Sequence, residues 1–143
     1  MPSSVIRSTA RSLAFCLSTA MVAACGGGAP SGVIDTPRVD PSLVGTWKGV
    51  INGDGSANSY GNMNATIVFR ADSTMTVQGD NPRYCPLNNA TWSVSETRFT
   101  AAGRDCDNIL VNFTAQVPTT TPRLAGTWTA SSGRAGTFSL AKQ

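Results

Sequence analysis

The chain has 143 residues, with 11 Lys and Arg against 8 Asp and Glu, four cysteines and no histidine. Lacking histidine, it has neither the usual general base nor the commonest metal ligand, and no Lys/Arg cluster offers the phosphate-neutralising patch of a nucleic-acid binder. Charged residues are scarce while Gly, Thr, Ser and Asn abound, a balance that favours strands and turns over helix interiors.

The first segment is a targeting signal. Arg7 and Arg11 precede an apolar run from Leu13 to Ala24. That run is too short to span a bilayer, which takes about 20 apolar residues, and it reads as a secretory signal over 1–24. Val22-Ala23-Ala24-Cys25 resembles the lipobox of bacterial lipoproteins. The resemblance implies cleavage before Cys25, a thioether-linked diacylglyceride on its sulfur, and a lipid anchor in the cell envelope. Gly26 rather than Asp follows the cysteine, which by the same resemblance implies sorting to the outer membrane. Ordinary secretion is the alternative, since Val22 and Ala24 also suit a general signal peptidase. Cysteine arithmetic favours lipidation: the cut leaves Cys25, Cys85 and Cys106, and acylating Cys25 leaves a natural pair. Losing Arg7 and Arg11 also leaves nearly balanced charge, so the basic character of the precursor belongs largely to its signal.

Residues 25–42, opening with Gly26-Gly27-Gly28-Ala29-Pro30, read as a lipidated flexible tether. From 43 to 143 the text alternates between apolar and polar residues in short runs bounded by turn residues, the signature of an antiparallel all-β domain. Eight strands are expected. The first runs near Gly45 to Asn52, with Trp47, Gly49 and Ile51 on one face. The second, near Asn64 to Arg70, carries Ile67 and Phe69, and the third carries Met75 and Val77. The fourth holds Trp92 and Val94, the fifth Phe99 and Ala101. The sixth, Ile109 to Gln116, sets Ile109, Val111, Phe113 and Ala115 on one face. The seventh holds Trp128 and Ala130, and the eighth Phe138 and Leu140. One apolar face per strand is what a sheet with one buried side requires. The fold expected is therefore a small antiparallel up-and-down eight-stranded β-barrel, with a β-sandwich as the alternative.

Cys85 falls between strands three and four, and Cys106 between strands five and six. In an up-and-down meander both connections lie at one end, so an exported chain is expected to pair them as a disulfide. The long connections after strands one, three and five share that end, and the tether enters at the other. Loops carried on a rigid scaffold are where binding residues concentrate, which points to Tyr60, Arg83 and Tyr84; the competing role for the two tyrosines is to cover the barrel mouth.

Catalytic signals are absent, and no enzyme is expected. Asp105-Cys106-Asp107-Asn108 is similar to part of a calcium loop but lacks the glycine and distal Glu of an EF-hand, so no metal or other cofactor is expected. Asn64-Ala65-Thr66, Asn89-Ala90-Thr91 and Asn112-Phe113-Thr114 are glycosylation sequons that a bacterial source would leave without meaning. The Gly45-Thr46-Trp47 entry to the first strand resembles the Gly-x-Trp opening of calycins, the lipocalin and avidin-like barrels. That resemblance implies a plugging role for Trp47 beneath a basic residue near the last strand, for which Lys142 stands in position; other lipocalin motifs and the biotin-holding set of avidins are missing.

Two functions remain. One is an anchored, non-enzymatic interaction module that presents long loops to an envelope protein or glycan, inhibitors included. The other is a lipocalin-like carrier of a small apolar ligand. Seven aromatics on the inward faces should fill so narrow a barrel, which favours the first.

Overall fold

The computed structural model describes residues 36–54, 62–119 and 122–143. Eight antiparallel strands form in chain order: β1 (Gly45–Gly53), β2 (Met63–Phe69), β3 (Thr74–Gly79), β4 (Leu87–Ser95), β5 (Arg98–Arg104), β6 (Leu110–Gln116), β7 (Arg123–Ala130) and β8 (Ala135–Lys142). Each pairs with its sequence neighbour, and β8 returns to pair with β1, so the sheet closes into an up-and-down barrel. Closure settles the choice against the sandwich: a twisted sheet of eight short strands satisfies both of its edges by meeting itself.

The alternation in the sequence maps directly onto the pleat. Trp47, Phe69, Trp92, Phe99, Phe113, Trp128 and Phe138 all point inward and are buried. Phe69 is the hub at one end, with its ring edge-on to Trp47, Trp92 and Phe99 at centroid separations of 6.2, 5.3 and 5.4 Å. Such edge-on pairs set the positive rim of one ring against the negative face of another and add roughly 0.5–1.5 kcal/mol each beyond burial. Outside, hydroxyl-bearing residues take the matching positions: Ser93, Thr100, Thr114, Thr127 and Thr137 are successive register partners across five strands.

The fourth strand is longer than its alternation suggests. It begins at Leu87, and its pairing with β3 shifts register between Met75 and Val77. An extra residue in β4 makes a β-bulge, with Asn89 at φ 61°; asparagine tolerates this left-handed region better than most residues. The bulge puts Leu87 and Ala90, three residues apart, both inside. A search for strict period-two alternation misses that stretch.

Closing the barrel needs bare backbone at the β1–β8 seam. A Cβ on Gly49 would run into the carbonyl of Ser139 and lie 2.8 Å from the Cα of Leu140. A Cβ on Gly136 would strike the carbonyl of Asn52 and sit 2.7 Å from the indole nitrogen of Trp128. Glycine lets the strands curl sharply here.

The chain docks onto the barrel before β1 begins. Arg38 and Val94 exchange both backbone hydrogen bonds, Leu43 is buried, and Val39 packs against the core. The docked part of the chain thus starts within the segment 25–42 read as tether, while residues 1–35 lie outside the described residues.

Candidate functional site

The two ends of the barrel are built differently. At the entry end, where residues 36–44 arrive, the connections are 70–73, 96–97 and 117–122; at the other end they are 54–62, 80–86, 105–109 and 131–134. The entry end is sealed by indoles. Trp47 Nε1 donates to the carbonyl of Leu43 at 2.8 Å, and Trp92 Nε1 donates to the carbonyls of Arg70 and Thr74 at 3.2 and 3.1 Å. Each buried ring thereby fixes a piece of chain across the opening while satisfying its only donor. Lys142 is the register partner of Trp47, and its Nζ donates to the carbonyl of Ser42 at 2.6 Å. Trp47 and Lys142 thus both hold the segment just before β1, one through the carbonyl of Leu43 and the other through that of Ser42.

At the loop end, Cys85 and Cys106 are joined in a disulfide, with Cα atoms 5.4 Å apart. The bond links the β3–β4 connection to the β5–β6 connection, as the shared end of a meander requires. The latter loop is ordered by its own side chains. Asp105 Oδ1 accepts from the amides of Asp107 and Ile109 at 3.0 and 2.9 Å, and Arg104 Nη1 donates to the carbonyl of Asn108 at 2.8 Å. Asp105 therefore works as a turn former. Cys85, Cys106 and Asp107 bring their ligand atoms within 4.8 Å of one another, but the two sulfurs are bonded together and offer no thiolate.

Of the residues singled out for binding, Tyr60 lies outside the described residues. Arg83 is exposed, and its amide donates to Asn81 Oδ1 at 3.0 Å, which fixes the turn that carries it. Tyr84 is half-buried and forms part of the wall of an apolar cavity at the barrel mouth. Ile51, Met63, Phe113 and Trp128 form its floor and sides, while Asp105 and Ser132 stand at its rim. The cavity holds about 20 Å³, room for little more than one water molecule. Arg83 and Tyr84 thus share a turn but differ in role: one side chain reaches solvent and the other covers the mouth. The cavity walls come from β1, β2, β6 and β7 and were not foreseen, because a wall formed by several strands leaves no local signal in the sequence.

On the outer surface of β1 to β3, Lys48, Asn64, Thr66, Gln78 and Asp80 line a shallow concavity. Asn64 and Asp80 are tied to each other there: the Asn64 amide donates to Asp80 Oδ1 at 2.9 Å and its Nδ2 to Oδ2 at 2.6 Å.

These features define a closed antiparallel barrel with a packed interior, an indole-sealed end and a disulfide-stapled loop end. Comparison of the chain with protein-family models, with curated proteins and with solved structures yields no match.

Proposed function

We propose that the chain is a lipid-anchored lipoprotein of the bacterial envelope, sorted to the outer membrane, whose barrel is a non-enzymatic interaction module for an envelope protein or glycan. The observation that carries this reading is the pairing of a packed interior with a stapled loop end. Among the described residues the mouth cavity holds about 20 Å³, far less than a fatty-acid-sized guest occupies, which favours the module over the carrier. Two connections at that end are joined by a covalent bond, and Arg83 extends from one of them. Support for the anchor comes from Arg7, Arg11 and the lipobox Val22-Ala23-Ala24-Cys25, and for the sorting from Gly26. The chain reaches the barrel at the end opposite the loops, an arrangement that turns those loops away from an anchored terminus.

The test uses the full chain produced in a bacterial host. Palmitate labelling of the wild type and of Cys25→Ala reads the anchor; equal labelling of both refutes it. A photo-crosslinking residue at position 83 or, as a control, at position 72 reads the interaction end. Protein or glycan adducts in intact envelopes are expected from position 83 alone. Stoichiometric release of an apolar molecule from the purified chain in native mass spectrometry would replace this reading with the carrier, the calycin-like alternative.

A further inference from the structure

The two tips of the barrel differ in charge. At the entry tip the side chains of Arg38, Arg70, Arg98, Arg123 and Lys142 outnumber those of Asp40, Asp72 and Glu96. At the loop tip Asp54, Asp80, Asp105 and Asp107 outnumber Arg83, Arg104 and Arg134.

The entry-tip aspartates are tied to their own turns. Asp72 Oδ1 accepts from both the amide and the hydroxyl of Thr74, at 2.9 and 2.6 Å. Asp40 Oδ1 accepts from the amide of Ser42 at 2.9 Å, and its Oδ2 lies 3.8 Å from Arg38 Nη1. Arg70, Arg98 and Arg123 are all exposed, and the charge of Arg70 also helps to hold the neighbouring Asp72 carboxyl below its ordinary value.

The length of chain ahead of the barrel supplies the second observation. From Cys25 to Thr36 is eleven residues, and a chain of that length spans at most about 40 Å in any conformation. With acyl chains on Cys25 embedded in a bilayer, the entry tip is confined to a hemisphere of that radius, an effective concentration on the order of 10 mM. Contacts far too weak to bind from solution are populated under such confinement. Each basic side chain near an anionic surface adds roughly fivefold to its occupancy.

We infer that the entry tip of the barrel, through Arg70, Arg98 and Arg123, rests on the anionic phospholipid headgroups of the membrane in which the chain is anchored. The inference builds on the lipoprotein reading. Contact at this tip holds the barrel upright with its loop end outward; free rotation about the anchor would let the loops sweep the bilayer.

The experiment uses the processed full chain, labelled with nitrogen-15, in nanodiscs that carry a gadolinium headgroup lipid. Paramagnetic broadening of amides is mapped in phosphatidylcholine discs and in discs with phosphatidylglycerol. In the anionic discs, amides at 70–73, 96–98 and 123–124 should relax several-fold faster than those at 80–84 and 105–109. The contrast should fall at least fivefold in 0.5 M salt and in Arg70→Glu/Arg98→Glu/Arg123→Glu, three exposed substitutions whose fold is checked by circular dichroism. Equal broadening at both tips, or a contrast indifferent to lipid charge and salt, overturns the inference while co-flotation of the chain leaves the anchor standing. A chain that does not co-float refutes the anchor instead. Added at 10 mM to anionic discs, that chain must still broaden at its entry tip for the inference to survive.

Discussion

Arg38 and Val94 exchange two backbone hydrogen bonds, Arg38 N–H to Val94 O at 2.9 Å and Val94 N–H to Arg38 O at 2.7 Å. The register of β3 with β4 ends at Thr74 and Thr91, so β4 outlasts its neighbour and leaves Val94 with an unpaired flank. Residue 38 fills that flank. Arg38→Pro deletes one donor, and a net loss of about 1 kcal/mol is expected. Amide exchange at Val94 should accelerate while exchange at Val111, across the barrel, stays unchanged; equal protection of Val94 in both proteins would show that the docked segment is dispensable.

Gly136 and Trp128 are coupled through Asn52, whose carbonyl accepts from the indole nitrogen at 3.0 Å. Gly136→Ala puts a methyl where that carbonyl and the ring nitrogen already stand. Overpacking of this kind typically costs 1–3 kcal/mol, and displacing the indole adds the loss of its hydrogen bond. A lower denaturation midpoint with an altered near-ultraviolet tryptophan signal is expected, whereas Gly133→Ala, in an open turn, should leave that signal intact.

Cys85 and Cys106 are 21 residues apart in sequence. In the chain-entropy model, closing a loop of that length stabilises the fold by roughly 3 kcal/mol. Cys85→Ala/Cys106→Ala should keep the far-ultraviolet β spectrum and lower the urea midpoint by an amount of that order. A reductant should shift the wild type to the same midpoint and leave the double variant unmoved.

The hydrogen bonds from the Thr74 hydroxyl and amide hold the Asp72 carboxyl below its ordinary value of 3.8, and Ser42 does the same for Asp40. A carboxyl whose pKa is depressed on folding contributes stability that is fully present above the unfolded value and lost as pH falls through the folded one. Asp72→Asn keeps the turn-forming oxygen and loses the charge. The wild type should therefore melt above the variant at pH 6, and the gap should close as pH drops below about 3.8. A gap that persists to pH 2 would show that the charge contributes nothing.

Much of this barrel was legible because its signals are local. Trp47, Phe69, Trp92 and Phe138 each sit on the inner face that alternation assigns them, and Cys85 and Cys106 meet because odd-numbered connections share an end. The bulge at Asn89 was illegible, since an inserted residue breaks the very periodicity that reveals a strand. Arg38 offered no cue either: its pairing depends on where β3 stops, a fact of three-dimensional register. The mouth cavity escaped for the same reason, its walls being gathered from strands up to 79 residues apart, as with Ile51 and Ala130. Tyr84 was picked from its loop but not from its neighbours, so its place over Met63 and beside Gly79 emerged only from the fold.

Sealing the flank of Val94 has a bearing on how the protein fares at high density. A closed barrel presents no strand on which another chain can template itself, and at Val94 this one has a gap in that protection, occupied by residue 38 of its own chain. Losing that part of the chain to a protease would uncover amide and carbonyl groups at Val94 and give neighbouring molecules a foothold for intermolecular β pairing. Trimming the N-terminal segment would thus threaten colloidal solubility well before it threatened the barrel itself.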